Sequence, residues 1–356
     1  MSDPNPALQD PQNGDGHEHD ETSIEQRETV GLSQGQIVRK RFFRHKGALI
    51  SIVVLGLVIV LVFSSVGLHV WGFSTPGWWQ WTWTATPPLV NRGIPSLNLI
   101  PGPDFGIGPH PFGQDEIGHD IFALVMRGAQ QSIMIMVLVG LVGTALGVII
   151  GSLAGFYRGW IDAILMRITD VFITIPFLVV AAVLGKATGN LGAAALGVVL
   201  GLFAWTGLAR LVRGEFLSLR EREFIDAARV SGASDKRIIF KHILPNSVGV
   251  IIVSATLLMA GAILAETALS FLQLGVRAPD TSLGLIVSQN QAAFGTRPWL
   301  FWWPGLFIIA IALCINFVGD GLRDAFDPRQ RHVPSARKMA RAAARASRAD
   351  AGVAAP

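Results

Sequence analysis

Six apolar stretches, separated by polar segments, set the pattern of this 356-residue chain. Each stretch has roughly the 20 residues that an α-helix needs to cross the hydrocarbon core of a bilayer. The stretches cover residues 48–70, 130–156, 168–184, 192–208, 248–272 and 300–318. The pattern therefore predicts an all-α integral membrane protein with six transmembrane helices.

The composition agrees with a membrane location. Hydrophobic residues make up 51% of the chain, charged residues 15%, and the mean hydropathy is +0.46, which is too apolar for a soluble domain of this size. The first stretch is longer than the apolar part of a signal peptide and is followed by tryptophans instead of a small-residue cleavage pattern, so we expect it to stay as an anchor. The single cysteine, Cys314, lies within the sixth stretch and indicates no disulfide framework.

Positive charge predicts the orientation of the spans. Of the 29 lysine and arginine residues, 24 lie in the odd-numbered segments between spans, counted from the N-terminus. Because cytoplasmic loops are enriched in these residues, both termini and segment 209–247 are predicted to be cytoplasmic, and the long segment after the first span to lie outside. The net charge of +4 marks the cytoplasmic face and needs no nucleic-acid partner.

The N-terminal residues are too polar to fold on their own. They include eight acidic residues and almost no large apolar side chains, so residues 1–36 are predicted to be a disordered tail. His17, Glu18, His19 and Asp20 could hold a metal ion only adventitiously, and no metal site is predicted. The predicted organisation is a tail at 1–36, an N-terminal region with the first span and outer segment at 37–127, a transmembrane domain of five helices at 128–324, and a basic cytoplasmic tail at 325–356.

The segment between the fourth and fifth spans has an unusual pattern. Phe224, Ile225 and Ala228 fall on one side of a predicted helix, and Gly232 is typical of a helix end. A second short helix follows, and Pro245 is predicted to close the unit. The pattern predicts two helices joined by a glycine turn, which expose a small apolar knob on the membrane surface. An amphipathic loop that only rests on the bilayer is the alternative.

The same segment resembles the EAA signature of binding-protein-dependent ABC importer permeases. The residues that carry the resemblance are Asp226-Ala227-Ala228, Gly232 and Leu244-Pro245. Two positions depart from the family pattern, since Asp226 replaces a glutamate and His242 stands where the family has isoleucine. The charge is kept at the first position, and Ile243 is adjacent at the second.

Further segments resemble the dipeptide and oligopeptide branch of that family. They lie in the family's order along residues 38–330, at 110–120, 159–176, 205–215, 266–275 and 319–328. Within the first of them, Gln114 replaces a threonine and His119 an arginine. The order and spacing of these segments make the resemblance specific.

The resemblance implies a type I ABC importer permease fold in the bacterial inner membrane. It implies four kinds of partner besides membrane lipid: a second homologous permease subunit, two ABC ATPase subunits, an extracytoplasmic solute-binding protein, and a cargo of dipeptides, oligopeptides or nickel complexes. The loop would fit a groove of the ATPase. The coupling residues implied are Glu223, Phe224, Ile225, Asp226, Ala227, Ala228, Arg229, Ser231, Gly232, Ala233, Leu244 and Pro245.

Three polar residues within the spans are candidates for the path or its gate. Glu266 lies about 31 Å along a helix from Pro245, near the outer surface, so a structural ion pair or a gate contact is favoured over substrate binding. Asn316 and Asp320 could line the path or cap neighbouring helices. The tryptophans between Trp71 and Trp83 fit the membrane interface, with substrate stacking as the alternative.

No site for chemistry is evident in the sequence. The one Gly-Lys pair, at 185–186, has Val180 where a P-loop needs its first glycine, so we expect no catalytic or cofactor site and ATP-Mg to be used by a partner ATPase. A self-sufficient secondary transporter or channel is the alternative function, disfavoured by the few charges within the spans. An intramembrane enzyme is a third reading, disfavoured because no nucleophile with a base, and no ligand set, lies at membrane depth.

Overall fold

The computed structural model describes residues 34–70, 73–98, 106–188 and 191–326. The described first part of the chain, from Gln34 onward, holds two helices and then a largely irregular stretch, the described residues of 66–120, that we term the capping segment. Its elements are α1 (Gln34–Phe42), α2 (Lys46–Ser65), β1 (His69–Val70), β2 (Phe73–Ser74), a 3₁₀ turn (Asn91–Gly93), β3 (Leu97–Asn98) and β4 (Gly106–Ile107). β1 pairs with β2 and β3 with β4, both antiparallel.

From Ile121 onward the described residues are largely helical. Their elements are α3 (Ile121–Tyr157), α4 (Gly159–Thr174), α5 (Phe177–Thr188), α6 (Ala193–Ala204), α7 (Thr206–Arg220), α8 (Glu223–Val230), α9 (Asp235–Arg237), a π turn (Ile238–Ile243), α10 (Leu244–Phe271), α11 (Leu283–Asn290), a 3₁₀ turn (Gln291–Ala293) and α12 (Trp299–Phe326). We term residues 223–246 the coupling loop.

Four helical runs of the described chain are long and apolar enough to cross a membrane. They are α2, α3, the run Asp235–Phe271 and α12. Two bent pairs would each make one more span: α4 with α5, at 80°, and α6 with α7, at 45°. Counted this way, the structure agrees with the six predicted spans, although the third and fourth are bent and not straight.

The sharper bend has a local cause. It lies at Ile175–Pro176, where proline has no N–H to continue the helical hydrogen bonds and disfavours the helical conformation of the residue before it. The bend at Pro176 therefore follows from the residue type at this position. The gentler bend lies at Trp205, whose indole nitrogen donates to the carbonyl of Leu202 at 2.9 Å.

α3 lies in contact with α6, α7, α10 and α2, while α12 packs against α10 and α2. The second half of α3 meets α6 and α7 through Gly143, Gly147, Gly151 and Gly155. A Cβ on Gly147 would lie 2.5 Å from Leu208 Cδ2, and one on Gly151 would lie 2.5 Å from the carbonyl oxygen of Ala209. The absence of a side chain at these glycines therefore lets the helices pack closely.

Several predicted boundaries can be compared with the helices. α1 begins at Gln34, inside the range assigned to the N-terminal tail, and the boundary at 127/128 falls within α3, because the helix begins at Ile121 after its cap Asp120. The possible metal ligands at 17–20, Trp71 and the tail from residue 327 onward lie outside the described residues.

Candidate functional site

The coupling loop is anchored by one side chain. Ile225 of α8 is fully buried in an apolar cluster with Phe156 of α3, Phe216 of α7 and Ile238 of the π turn. The prediction that it shares an exposed knob with Phe224 and Ala228 is therefore wrong. A helix of two turns places adjacent residues about 100° apart, so one can point into the protein while its neighbour faces outward.

Other apolar side chains of the loop are exposed. Phe224 is 43% exposed, Phe240 67% and Val230 90%. Apolar side chains scattered over a surface are common, but three on one short loop form a surface that a partner could cover. Val230 and Phe240 were not among the predicted coupling residues.

The turn after α8 has the geometry predicted for it. Gly232 has a φ of +77°, its N–H donates to the Arg229 carbonyl at 2.9 Å, and the Ala233 N–H donates to the Ala228 carbonyl at 3.0 Å. These two bonds form a Schellman motif, which ends a helix with a left-handed residue. Open space surrounds the position where a Cβ of Gly232 would lie, so the backbone conformation, and not a lack of space, favours glycine here.

The second helix of the loop is not short, and Pro245 does not close it. From Asp235 the chain stays helical through the π turn and onward to Phe271. The missing N–H of Pro245 coincides with that π turn, where Asn246 Nδ2 donates to the His242 carbonyl at 2.6 Å and Ser247 Oγ to the Ile243 carbonyl at 3.1 Å. The loop thus continues without a break into the span α10.

The remaining predicted coupling residues lie on or near the surface of the loop. Asp226 and Arg229 form an exposed pair at 3.1 Å, one turn apart on α8, and Ser231 Oγ donates to the Ala227 carbonyl at 2.8 Å. Among the others, Glu223 and Pro245 are exposed, and Ala228, Ala233 and Leu244 are half-buried.

Glu266 lies inside the protein without a cationic partner among the described residues. Its side chain is fully buried and accepts hydrogen bonds from Ser132 Oγ and Ser270 Oγ, both at 2.7 Å. The predicted structural ion pair is therefore wrong. Hydroxyl donors satisfy a buried carboxyl without bringing a second charge into the apolar interior.

The other two path candidates lie apart on α12. Asn316 is half-buried, and its amide donates to the Ala312 carbonyl of its own helix at 2.9 Å. Asp320 is exposed one turn further along. The hydrogen bond of Asn316 within its own helix does not distinguish a residue that lines the path from one that caps a neighbouring helix. The role of both residues therefore stays a prediction.

Sequence reasoning missed a buried polar cluster near the start of α3. Arg127 donates from Nε and Nη2 to Asp280 at 2.8 and 2.6 Å, and Gln131 donates to the same carboxylate at 3.0 Å. Gln130 donates to the carbonyls of Val62 and Gly67 at the end of α2. A cavity of about 280 Å³ lies beside the cluster. An arginine close to an apolar stretch is the signal that could have pointed to it.

Asp120 organises the capping segment around the start of α3. It accepts hydrogen bonds from the Ala123 N–H at 3.0 Å, as the helix cap, and from Trp79 Nε1 at 2.7 Å, and it pairs with His110 Nδ1 at 2.8 Å. Burial raises the pKa of the Asp120 carboxyl, and the bonds to His110 and Trp79 partly offset that rise. The rings of Trp79 and Trp81 pack on Phe122 and His110, so these tryptophan faces are occupied by the protein itself.

The two positions that depart from the family pattern in this segment are both bonded locally. Gln114 is fully buried, accepts from the Val90 N–H at 2.8 Å and donates to the carbonyls of Pro88 and Gly118. His119 Nδ1 lies 2.7 Å from Asp115. At each of these two positions, the residue found in this chain forms side-chain hydrogen bonds within the capping segment.

Comparison with known proteins places this arrangement in a family. Residues 147–332 match the family model of the binding-protein-dependent transport system inner membrane component, and residues 33–69 match that of the N-terminal TM domain of oligopeptide transport permease C. The oligopeptide transport system permease protein OppC of Mycobacterium tuberculosis is 35% identical over 307 residues, which cover 85% of this chain and 97% of that protein. The protein of the same name from Haemophilus influenzae is 33% identical over 308 residues, covering 86% and 93%.

A solved structure of the inward-facing methionine ABC transporter MetNI aligns with 57% of this chain and 96% of its own, at a TM-score of 0.48 and 22% identity. The family matches favour an ABC importer permease over the alternatives of a secondary transporter, a channel or an intramembrane enzyme. The chain belongs to the family of binding-protein-dependent transport system inner membrane components, and it is a multi-pass permease subunit of an ABC importer whose ATPase is a separate subunit.

Proposed function

We propose that this permease carries peptides into the cell. The observation that supports this cargo most is the similarity to two oligopeptide permeases over at least 85% of the chain, together with the match of residues 33–69 to the N-terminal domain of such a permease. A separate extracytoplasmic binding protein selects the cargo, and a second, homologous permease subunit completes the path. Two ATPase subunits use ATP-Mg on the other side.

The coupling loop is the contact with the ATPase in this proposal. Its exposed Phe224 and Val230 supply apolar contact area, and Lys236, Arg237 and Lys241 add exposed positive charge. Because the loop continues directly into α10, a displacement of the loop moves a membrane span as a rigid body. The distribution of lysine and arginine supports a cytoplasmic position for the loop and both termini in a bacterial inner membrane.

Uptake by proteoliposomes that contain the whole importer tests both parts of the proposal. With the binding protein outside and ATP inside, we expect uptake of radiolabelled tripeptides and pentapeptides by the wild type. Gly232→Val is expected to hydrolyse ATP with little uptake, since a β-branched residue disfavours the φ of +77°. Gly232→Asn is the matched control, because asparagine tolerates that conformation, and it should keep most of the uptake.

Cross-linking tests the contact itself. The single cysteine allows a cysteine-free background, Cys314→Ser, into which Phe224→Cys and Ala228→Cys can be introduced. We expect the Phe224→Cys variant to cross-link to the ATPase. The coupling role is wrong if both cysteine variants fail to cross-link to the ATPase and the tagged chain does not co-purify with one.

A further inference from the structure

Helix α4 follows α3 through the turn at Arg158 but has little apolar packing of its own. Thr169 is its one buried residue, and Trp160 is 73% exposed. A helix that buries so little side-chain surface is not held in place by a hydrophobic core. Its position must depend on other contacts.

Ion pairs with α7 supply such contacts. Asp162 accepts two hydrogen bonds from Arg213, at 2.5 Å from Nε and 2.7 Å from Nη2, and Asp170 accepts one from Arg210 Nη2 at 2.6 Å. The forked geometry of the first pair fixes both distance and orientation between the helices. Its side chains are also less exposed than those of the second pair, which are close to half-exposed.

The ends of α4 are tied to the same partner helix. At its start, Arg158 pairs with Glu221 at 2.6 Å, and Arg220 donates to the Phe156 carbonyl, so the end of α7 meets the turn between α3 and α4. Near its far end, Phe172 packs against Trp205 with ring centroids 5.5 Å apart. The bend at Trp205 therefore lies close to the bend that follows α4.

α7 leads directly into the coupling loop. Two residues separate its end at Arg220 from the start of α8 at Glu223. Val212 and Phe216 of α7 are buried in the same apolar cluster as Ile225 of α8. A displacement of α8 is thus passed to α7 through a packed core, and from α7 to α4 through the ion pairs.

We infer that Asp162 and Arg213 are positioning residues that make α4 move together with the coupling loop. The inference rests on the proposed coupling function and extends it to the first half of the bent span. The bidentate pair of Asp162 and Arg213 is expected to contribute more to this coupled movement than the pair of Asp170 and Arg210. A geometrically fixed, partly buried ion pair resists separation more than an exposed one. Removal of one partner should let α4 lag behind the loop.

Distances between spin labels test this in the purified complex with its ATPases. In the Cys314→Ser background, one label pair joins Asp235→Cys on the loop to Trp160→Cys on α4, and a second joins Asp235→Cys to Ile50→Cys on α2, all at exposed positions. Between the nucleotide-free and the ATP-vanadate states, we expect the Asp235–Ile50 distance to shift and the Asp235–Trp160 distance to stay unchanged. If the first distance does not shift, the proposed coupling function fails. If both distances shift alike, our inference is overturned while coupling stands.

Variants of the pair complete the test. With Arg213→Gln, the Asp235–Trp160 distance should shift on nucleotide binding. ATP hydrolysis should persist, while the amount of cargo taken up per ATP hydrolysed should fall to about one fifth of the wild-type value. The charge exchange Asp162→Arg with Arg213→Asp should restore a constant distance, which a purely local loss of folding would not allow. Arg210→Gln removes the same charge one turn away and should change little. An equal effect of Arg210→Gln, or no effect of Arg213→Gln, would contradict the inference.

Discussion

The two halves of α3 are held in place by different kinds of contact. In the first half, the side chains of Arg127, Gln130, Gln131 and Ser132 are buried and bonded to α2, α10 and the segment before α11. In the second half, Gly147, Gly151 and Gly155 place the backbones of α3 and α7 in direct contact. One half is fixed by directional bonds, and the other by shape.

The difference has a mechanical meaning. Hydrogen bonds and forked ion pairs have narrow ranges of distance and angle, so a small shift between the helices breaks them. A glycine seam keeps helices close by shape, and a polar bond between α3 and α7, from Arg220 to the Phe156 carbonyl, lies only at its far end, so a small slide along it disturbs few directional bonds. The structure therefore predicts that α3 is fixed at the end near the capping segment and can shift slightly at the end near the coupling loop.

Removing the guanidinium at the fixed end should have the largest effect. Arg127→Met leaves Asp280 without its cation and Gln130 without one partner, and we expect a loss of about 3 kcal/mol in stability. Thermal unfolding of the detergent-purified protein measures it. The double variant Arg127→Met with Asp280→Leu should recover part of the loss. If it is no more stable than the single variant, the unpaired carboxylate is not the cause.

A second test at the same end concerns Glu266. Glu266→Leu leaves the buried hydroxyls of Ser132 and Ser270 without their acceptor, which should cost about 2 kcal/mol. Glu266→Gln keeps the shape and an acceptor and should cost much less. Equal thermal stability of the two variants would show that shape, and not hydrogen bonding, determines this site.

At the glycine seam, the effect of one methyl group should depend on what it meets. Gly151→Ala places a Cβ against the Ala209 carbonyl and should destabilise the protein by about 1–2 kcal/mol. Gly214→Ala on α7 is the matched control, because nothing lies within 4 Å of its added Cβ. That variant should be stabilised by about 0.5–1 kcal/mol through helix propensity. A similar shift in unfolding temperature for both variants would contradict the close packing of α3 against α7 at Gly151.

The smallest expected effect is the pH dependence contributed by Asp120. Because its folded pKa is raised above the ordinary value of 3.8, the folded state binds the proton more tightly than the unfolded state. The resulting stability is present below pH 3.8 and is lost as the pH rises through the raised pKa. The stability of the wild type minus that of Asp120→Asn should therefore fall as the pH increases from 3.8. A rise over that range would give the opposite sign and contradict the burial argument.

Local patterns predicted much of this fold, and long-range contacts account for what they missed. The bend at Pro176 and the left-handed Gly232 follow from the conformations that each residue permits, so the sequence alone was sufficient. The burial of Ile225 depends on Phe156 and Phe216, which come from two other helices. Residues adjacent on a short helix cannot reveal which of them faces the protein.

The errors at Pro245 and Glu266 have physical reasons as well. Proline usually ends a helix, but here a π turn precedes it, and the side chains of Asn246 and Ser247 donate to the carbonyls of His242 and Ile243 within that turn. For Glu266, a carboxyl at membrane depth suggested a cationic partner, while two serines supply the bonds instead. The pair of Arg127 with Asp280 spans 153 residues of sequence, so no local pattern could have predicted it.

The length of α3 also bears on the lipids around the protein. Its 37 residues extend over about 55 Å, whereas the hydrocarbon core of a bilayer is about 30 Å thick. The polar first part is covered by the capping segment, whose Trp83 ring lies 4.6 Å from the guanidinium of Arg127. This end of α3 can therefore extend beyond the hydrocarbon core with its polar side chains covered by protein, so the length of α3 itself requires no particular bilayer thickness.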